Sequence, residues 1–177
     1  MKRLDNLEKC FSKAEDLLRN SAGSIEASAA ELLELLGLAF ECDWGTFWKV
    51  DEELHVLRPV FTWSRLGVVT VALDRDTRGR SLSLSEGTAG HVWRSRKPLW
   101  SCDILSDLCL PRSLDAHAAG LHGGIWFAVK VENIVFGIFE FLGISLLPAS
   151  EELLIGLEAF GIRIGHQVEK NRLSLKQ

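Results

Sequence analysis

Apolar side chains recur with helical spacing at both ends of the chain. Between residues 1 and 20 they alternate at spacings of three and four, which predicts a helix with an a/d seam. A second helix is predicted to begin at Ser24, whose hydroxyl can cap it, and to end near Asp43. From Ser150 onwards a seven-residue repeat predicts a long final helix. Because both seams would be exposed in a monomer, we expect a parallel homodimer through the terminal helices. The seam residues concerned are Leu4, Leu7, Phe11, Ile164, Val168 and Leu175.

Strand patterns occupy the middle of the chain. The segments WGTFWKV and LHVLRPVFTW are rich in aromatic and β-branched residues, which predicts a hairpin. VVTVAL is interpreted as a further strand and DRDTRGR as a loop. EGTAGHVWRSRKP predicts a glycine turn and a short helix that stops at Pro98, LWSC predicts a short strand, and another helix follows Pro111. HGGIWFAVKV and IVFGIFEFLG predict a final hairpin that turns at Glu132 and Asn133. This order of elements indicates an α+β fold with an antiparallel sheet.

Composition narrows the class of protein. The 177 residues are 47% hydrophobic and 25% charged, as expected for one globular domain. A net charge of -4 gives no basic field for nucleic acid. No apolar run approaches the roughly 20 residues of a membrane span. Because the N-terminus also lacks the apolar core of a signal peptide, we expect a cytoplasmic protein.

The cysteines do not form a recognisable framework. They are scattered and include no Cys-x-x-Cys, so we expect free thiols, some of them buried. A metal site built from the last two with His117 and His122 would have a spacing that matches no structural zinc pattern. We therefore expect reduced thiols and no bound metal. The four cysteines are Cys10, Cys42, Cys102 and Cys109.

Two longer segments carry a family resemblance. SLSEGTAGHVWRSRKPLWSCDILSD and LPRSLDAHAAGLHGGIWFAVKVENIVFGIFEF resemble the GAF domain family, of the kind found in bacterial sensor histidine kinases. The resemblance covers roughly residues 24–172. It implies a central antiparallel sheet with the N- and C-terminal helices on one face. A ligand pocket covered by short helices and loops would lie on the other face, as in GAF/PAS-like folds. Residues 1–22 would be a signalling and dimerisation helix, and residues 23–177 the GAF domain. The matching positions are Gly87, Gly90, Trp93, Pro98, Trp100, Asp103, Pro111, Arg112, Ala116, Gly120 and Gly137.

The resemblance implies a sensory function more than a particular ligand. GAF domains bind cyclic nucleotides, bilins, haem, small anions or no known ligand. We expect a small-molecule-binding regulatory module whose output domain, a histidine kinase, lies outside this non-enzymatic chain. Bilin-binding relatives carry a Cys-His pair where this sequence has Pro111 and Arg112, so no covalent bilin is expected. Two alternatives stay open. One is a ligand-free dimerisation scaffold. The other is a thiol redox enzyme like the GAF-fold free methionine sulfoxide reductases, although AHAAGLHGGI lacks their cysteine.

Glu140 is an unexpected carboxylate in an apolar strand. The odd positions of the last hairpin are apolar and should pack on the helices, whereas the even positions, here named the even face, include Trp126 and Glu140. The two even sets face each other only if the connection has odd length or contains one bulge. Glu140 would then lie near Trp126 and His122, either as a pocket residue or in a structural ion pair with His122, Arg112 or a loop amide.

The predicted ligand site lies over the even face, beneath residues 100–120. A small polar or aromatic ligand would lie against Trp126, and Gly124 would leave room beside the indole. Arg112 would attract an anionic group. The candidate ligand-binding residues are Trp100, Asp103, Arg112, His117, His122, Trp126 and Glu140.

Overall fold

The computed structural model describes residues 2–21, 24–106 and 112–175. Its strands form one antiparallel sheet in the order β3-β2-β1-β6-β5-β4, which confirms the predicted α+β fold. None of the helices within these ranges has the length and apolarity that a membrane span requires. The elements are α1 (Lys2–Asn20), α2 (Ile25–Ala39), β1 (Trp44–Asp51), β2 (Val56–Ser64), α3 (Val71–Arg78), β3 (Leu82–Ser83), α4 (Gly87–Ser95), β4 (Leu99–Ser101), α5 (Ser113–Ala118), β5 (Gly123–Val131), β6 (Ile134–Gly143) and α6 (Glu151–Ser174).

Serine caps begin the second and the last helix, as the sequence predicts. The Ser24 hydroxyl accepts a hydrogen bond from the backbone N–H of Ala27 at 3.2 Å, and Ser150 accepts one from Leu153 at the same distance. These bonds satisfy backbone donors that have no partner within the helix. α2 ends at Ala39, slightly before the predicted position.

The predictions for residues 68–80 are wrong. VVTVAL is not a strand and DRDTRGR is not a loop, because Val71–Arg78 form helix α3. Leu73 and Thr77, four residues apart, are buried on one side of this helix, while Val69 before it is 77% exposed. The β-branched residues indicated a strand, but the helical spacing of the two buried residues matches the structure.

The helix-side face of the sheet contains a core of phenylalanine rings. Phe127, Phe139 and Phe141 of the last hairpin pack there against α1, α2 and α6. The ring of Phe11 in α1 stacks on Phe160 in α6 with 4.1 Å between centroids. α1 is therefore part of the core of its own chain.

The dimer was predicted because the seam residues would be exposed in a single chain. This argument is wrong for most of them. Leu7, Phe11 and Ile164 are buried within the single chain, and Val168 is half-buried. Leu175 is 84% exposed, and the side chain of Leu4 lies outside the described residues. An amphipathic seam has the same spacing whether it covers a second copy or its own sheet, so the pattern alone did not distinguish the two.

α6 lies directly on β5. A Cβ atom at Gly161 or Gly165 would collide with a β5 carbonyl oxygen, that of Ala128 or Lys130, so these glycines permit the close approach. Lys130 also donates a hydrogen bond of 2.7 Å to Glu158 of α6. That bond and the lysine charge hold the pKa of Glu158 below its usual value.

The register of the last hairpin places the even positions opposite one another. Trp126 lies opposite Glu140, and the register shifts between Val129 and Lys130, where Phe136 of β6 has no partner. The sequence allowed either a connection of odd length or one bulge, and the structure has the bulge. The bulge turns Val135 toward the even face and Phe136 toward the helix side.

Candidate functional site

Glu140 and Arg112 form a buried ion pair at the centre of the even face. Glu140 is 0% exposed and Arg112 is 1% exposed. Arg112 Nη2 donates to both carboxylate oxygens, at 2.7 and 2.9 Å, and Trp48 Nε1 donates to Glu140 Oε2 at 2.6 Å. These contacts match the structural ion pair proposed for Glu140. Its partner is Arg112, one of the three predicted partners.

Two indole rings flank the Arg112 guanidinium. Its Cζ atom lies 5.5 Å from the ring centroid of Trp44 and 5.1 Å from that of Trp48, within the range of a cation–π contact. Nη1 donates to the Thr77 hydroxyl at 2.7 Å. Asp74 holds the first indole by accepting from Trp44 Nε1 at 2.8 Å. Arg112 is therefore fixed by a carboxylate, a hydroxyl and two aromatic faces.

The ion pair also connects the cover of the even face to the sheet. Arg112 is the N-cap residue of α5, and Ala116 of that helix belongs to the apolar cluster beneath it. Glu140 lies in β6, a central strand. Any rearrangement of the start of α5 would move Arg112 and change the contacts of a central strand.

Two buried nitrogen donors near this pair have no acceptor. They are Arg112 Nε and Trp126 Nε1, and the second belongs to the residue directly opposite Glu140. The Thr88 hydroxyl of α4, a helix that packs on β5 and β6, is also buried without a partner. More than about 90% of buried polar groups have a partner, and an unpaired one costs about 1–3 kcal/mol. Two unpaired donors, Arg112 Nε and Trp126 Nε1, therefore accompany the ion pair.

The space predicted beside Gly124 is filled. A Cβ atom there would overlap the ring of Trp126, so the indole lies over the glycine. The expectation that Gly124 leaves room for a ligand is therefore wrong, because the room is taken by Trp126 itself. The glycine lets the buried indole lie flat on its own strand.

The remaining candidates lie away from the ion pair. Trp100 packs on the helix side and donates from Nε1 to the Leu147 carbonyl at 3.1 Å. Asp103 is exposed and closes a turn by accepting from the backbone of Ser106, whose hydroxyl and backbone hydrogen bonds lower the pKa of Asp103. Two exposed histidine rings meet edge to face with 5.1 Å between centroids. These are His117 and His122.

The structure thus brings together three of the seven predicted site residues, Arg112, Trp126 and Glu140. Sequence reasoning missed Trp44, Trp48 and Thr77. The alternation in WGTFW places both tryptophans on the same face of β1, and this signal was available. That β1 lies beside β6 is a property of the sheet order, and the local pattern does not contain it.

The three described cysteines differ in burial. Cys10 and Cys42 are buried, whereas Cys102 is exposed. Burial outweighs the nearby Lys13 charge and raises the pKa of Cys10 to about 11, so this thiol stays protonated at neutral pH. Cys109 lies outside the described residues. Among the residues that are described, no group of three or more His, Cys, Asp or Glu side chains is arranged to hold a metal ion.

Comparison with known proteins identifies the fold. No protein-family model matches the sequence, and no curated protein matches it. The free methionine-R-sulfoxide reductase of Neisseria meningitidis, solved with its substrate, superposes with a TM-score of 0.73 at 15% identity over 98% of this chain and 94% of that one. The GAF domain of an Acinetobacter phosphoenolpyruvate-protein phosphotransferase gives 0.70 at 14% identity over 100% and 99%. The corresponding Coxiella burnetii domain gives 0.70 at 15% identity over 99% and 97%. The chain therefore has the GAF fold.

Proposed function

We propose that this GAF-fold chain is the sensory module of a bacterial, cytoplasmic signalling protein, and that it binds a small molecule over the even face. The single observation that carries the proposal is the pair of buried donors without an acceptor, Arg112 Nε and Trp126 Nε1. Both belong to side chains that contact or oppose Glu140. The ligand would carry a carbonyl or carboxylate oxygen and a flat apolar part, because tryptophan rings surround the site.

The sheet provides a route for the signal. Glu140 lies on the even face, where it binds Arg112. Its neighbours in the same strand, Phe139 and Phe141, pack against the helices on the other side of the sheet. A ligand that moves Arg112 toward itself would weaken the hydrogen bonds from Arg112 to Glu140 and so shift this strand. The terminal helices would pass that change to a histidine kinase output domain outside this chain.

A homodimer through the terminal helices remains part of the proposal. The structural support for the dimer is limited to the end of α6, where Leu173 is 60% exposed. Light scattering over a wide concentration range tests it. We expect the mass of two chains, and the mass of one chain throughout would contradict the dimer.

A redox enzyme is the rival function, since solved free methionine sulfoxide reductases of Neisseria meningitidis and Staphylococcus aureus share the fold. The thiols argue against it. Cys10 and Cys42 are buried, and the segment before the last hairpin has no cysteine. A coupled assay with free methionine sulfoxide decides between the two, because a sensor module should show no turnover above a control in which both Cys102 and Cys109 are replaced by serine. A ligand-free scaffold is the third possibility.

The sensor proposal is tested by a ligand survey with matched variants. Native mass spectrometry of the purified protein, followed by thermal melts with candidate metabolites, identifies a ligand. Trp126→Phe removes one unpaired donor and keeps an aromatic ring, so we expect affinity to fall about fivefold, the loss of one hydrogen bond. Trp100→Phe is the control, because its Nε1 contacts Leu147 outside the site. Equal affinities in both variants, or no ligand in the survey, would contradict the proposal.

A further inference from the structure

A concave site lies on the helix side of the sheet. It is a groove of about 640 Å³ between the start of α2, the β1–β2 connection and the last turns of α6, and we name it the α2–α6 groove. Its volume falls within the roughly 300–1,000 Å³ typical of small-molecule sites. The even face and Glu140 lie on the other side of the sheet. The apolar residues that line the groove are Ile25, Phe47, Val50, Phe136, Val168 and Leu175.

Ion pairs around the rim neutralise most of its charge. Lys49 contacts Glu26, Arg58 Nε lies 3.1 Å from Asp51, and Arg172 Nη1 lies 2.7 Å from Glu52. Glu53 adds one further carboxylate to the lining. With each cation already paired, the rim offers no concentrated positive or negative field, and a multiply charged ligand would gain little there.

Two further contacts define what the groove can hold. The Arg172 guanidinium lies over the Phe136 ring, 5.5 Å from its centroid, and covers one aromatic face. The amide nitrogen of Asn171, one residue earlier, is buried and has no hydrogen-bond partner. The groove therefore combines aromatic and aliphatic walls with one unused donor, which matches a ligand with a single acceptor.

We propose that the α2–α6 groove binds a flat, uncharged aromatic molecule whose oxygen accepts from the Asn171 side chain. The aromatic body would lie against Phe47 and Val168. Such a ligand would bridge α2 and the C-terminal turns of α6, and so would bind the signalling helices themselves. This site is separate from the one over the even face.

The test uses Nile red as the fluorescent probe, since it is flat, aromatic and uncharged and has a carbonyl oxygen that can accept a hydrogen bond. Val168→Trp fills the groove, and we expect probe affinity to fall at least about tenfold. Asn171→Leu removes the donor and should reduce it about fivefold. Val69→Trp is the matched control, because Val69 is 77% exposed and does not line the groove. The affinity of this variant for the probe should equal that of the parent chain.

Nitrogen-15 NMR locates the probe independently of its fluorescence. The side-chain amide signal that disappears in Asn171→Leu should shift on titration with the probe in the parent chain. Unchanged affinity in Val168→Trp, or an Asn171 amide signal that does not move, would overturn the proposal. A groove occupied by a second copy would also overturn it, and light scattering would reveal that as a dimer dissociated by Val168→Trp. The Asn171 amide signal reports only on the groove, so failure here is distinguishable from failure of the even-face site.

Discussion

Replacing Glu140 by glutamine tests the buried ion pair most directly. The change keeps the shape of the side chain and removes its charge. In the parent chain each carboxylate oxygen is met by a donor, Oε1 by Arg112 Nη2 and Oε2 by Nη2 and Trp48 Nε1. Whichever way a glutamine amide is turned, its NH₂ group would therefore face an N–H donor. Arg112, 1% exposed, would keep its charge without a carboxylate.

The expected loss is large because both partners are out of water. Breaking a buried pair by removing one partner costs about 3–5 kcal/mol. For a chain of this size about 1 kcal/mol shifts Tm by about 2–4 °C, so we expect Glu140→Gln to melt about 6–20 °C lower. Replacing both partners, as Arg112→Met with Glu140→Gln, should cost less than the sum of the single changes, because no unpaired charge is left.

Urea unfolding of the single and double variants measures these differences. The control is Asp16→Asn, which breaks the Arg19–Asp16 pair at 2.9 Å on the surface of α1, with side chains 61% and 62% exposed. That change should cost no more than about 1 kcal/mol. If Glu140→Gln lost as little as the control while ligand binding changed, Glu140 would be a pocket residue and the structural argument would fail. Strict additivity of the two single changes would also refute it.

Three further predictions follow from the thiols, the acid side of the stability curve and the helix–sheet contact. With Cys109 replaced by serine, a thiol reagent at pH 8 should modify Cys102 quickly and leave Cys10 unmodified until the chain unfolds; two fast thiols would contradict the burial of Cys10. Because the pKa of Glu158 is lowered in the folded chain, its contribution is present above the unfolded value of about 4.3 and is lost as pH falls through the folded pKa, so Glu158→Gln should flatten stability against pH there. If the free energy of unfolding of this variant depended on pH as steeply as that of the parent chain, a contribution from Glu158 would be excluded. Gly165→Ala should cost about 1–3 kcal/mol in urea unfolding through overlap with β5, whereas Gly156→Ala, with open space around it, should stabilise α6 by up to about 1 kcal/mol; equal effects would argue against the close approach.

Local patterns predicted the parts of this fold that depend on neighbours in sequence. The caps at Ser24 and Ser150 and the alternation around Glu140 are of this kind. Arg112 was named as one of three partners, but choosing it required the position of α5 over the sheet. Trp48 contacts Glu140 from 92 residues away, through a sheet order that no local pattern contains. The unpaired donors are likewise a property of packing in three dimensions.

The bulge in the last hairpin limits how this chain can change in length. Phe136 is the single extra residue that lets a turn at Glu132 and Asn133 coexist with an even face that includes Glu140. Deleting Phe136 would remove the bulge and keep Glu140 opposite Trp126, whereas inserting one residue between the turn and Gly137 would move Glu140 toward the phenylalanine rings on the helix side. Inserting or deleting two residues would preserve the faces. Lengthening of this hairpin is therefore tolerated in steps of two, and an odd step must be compensated by a second bulge.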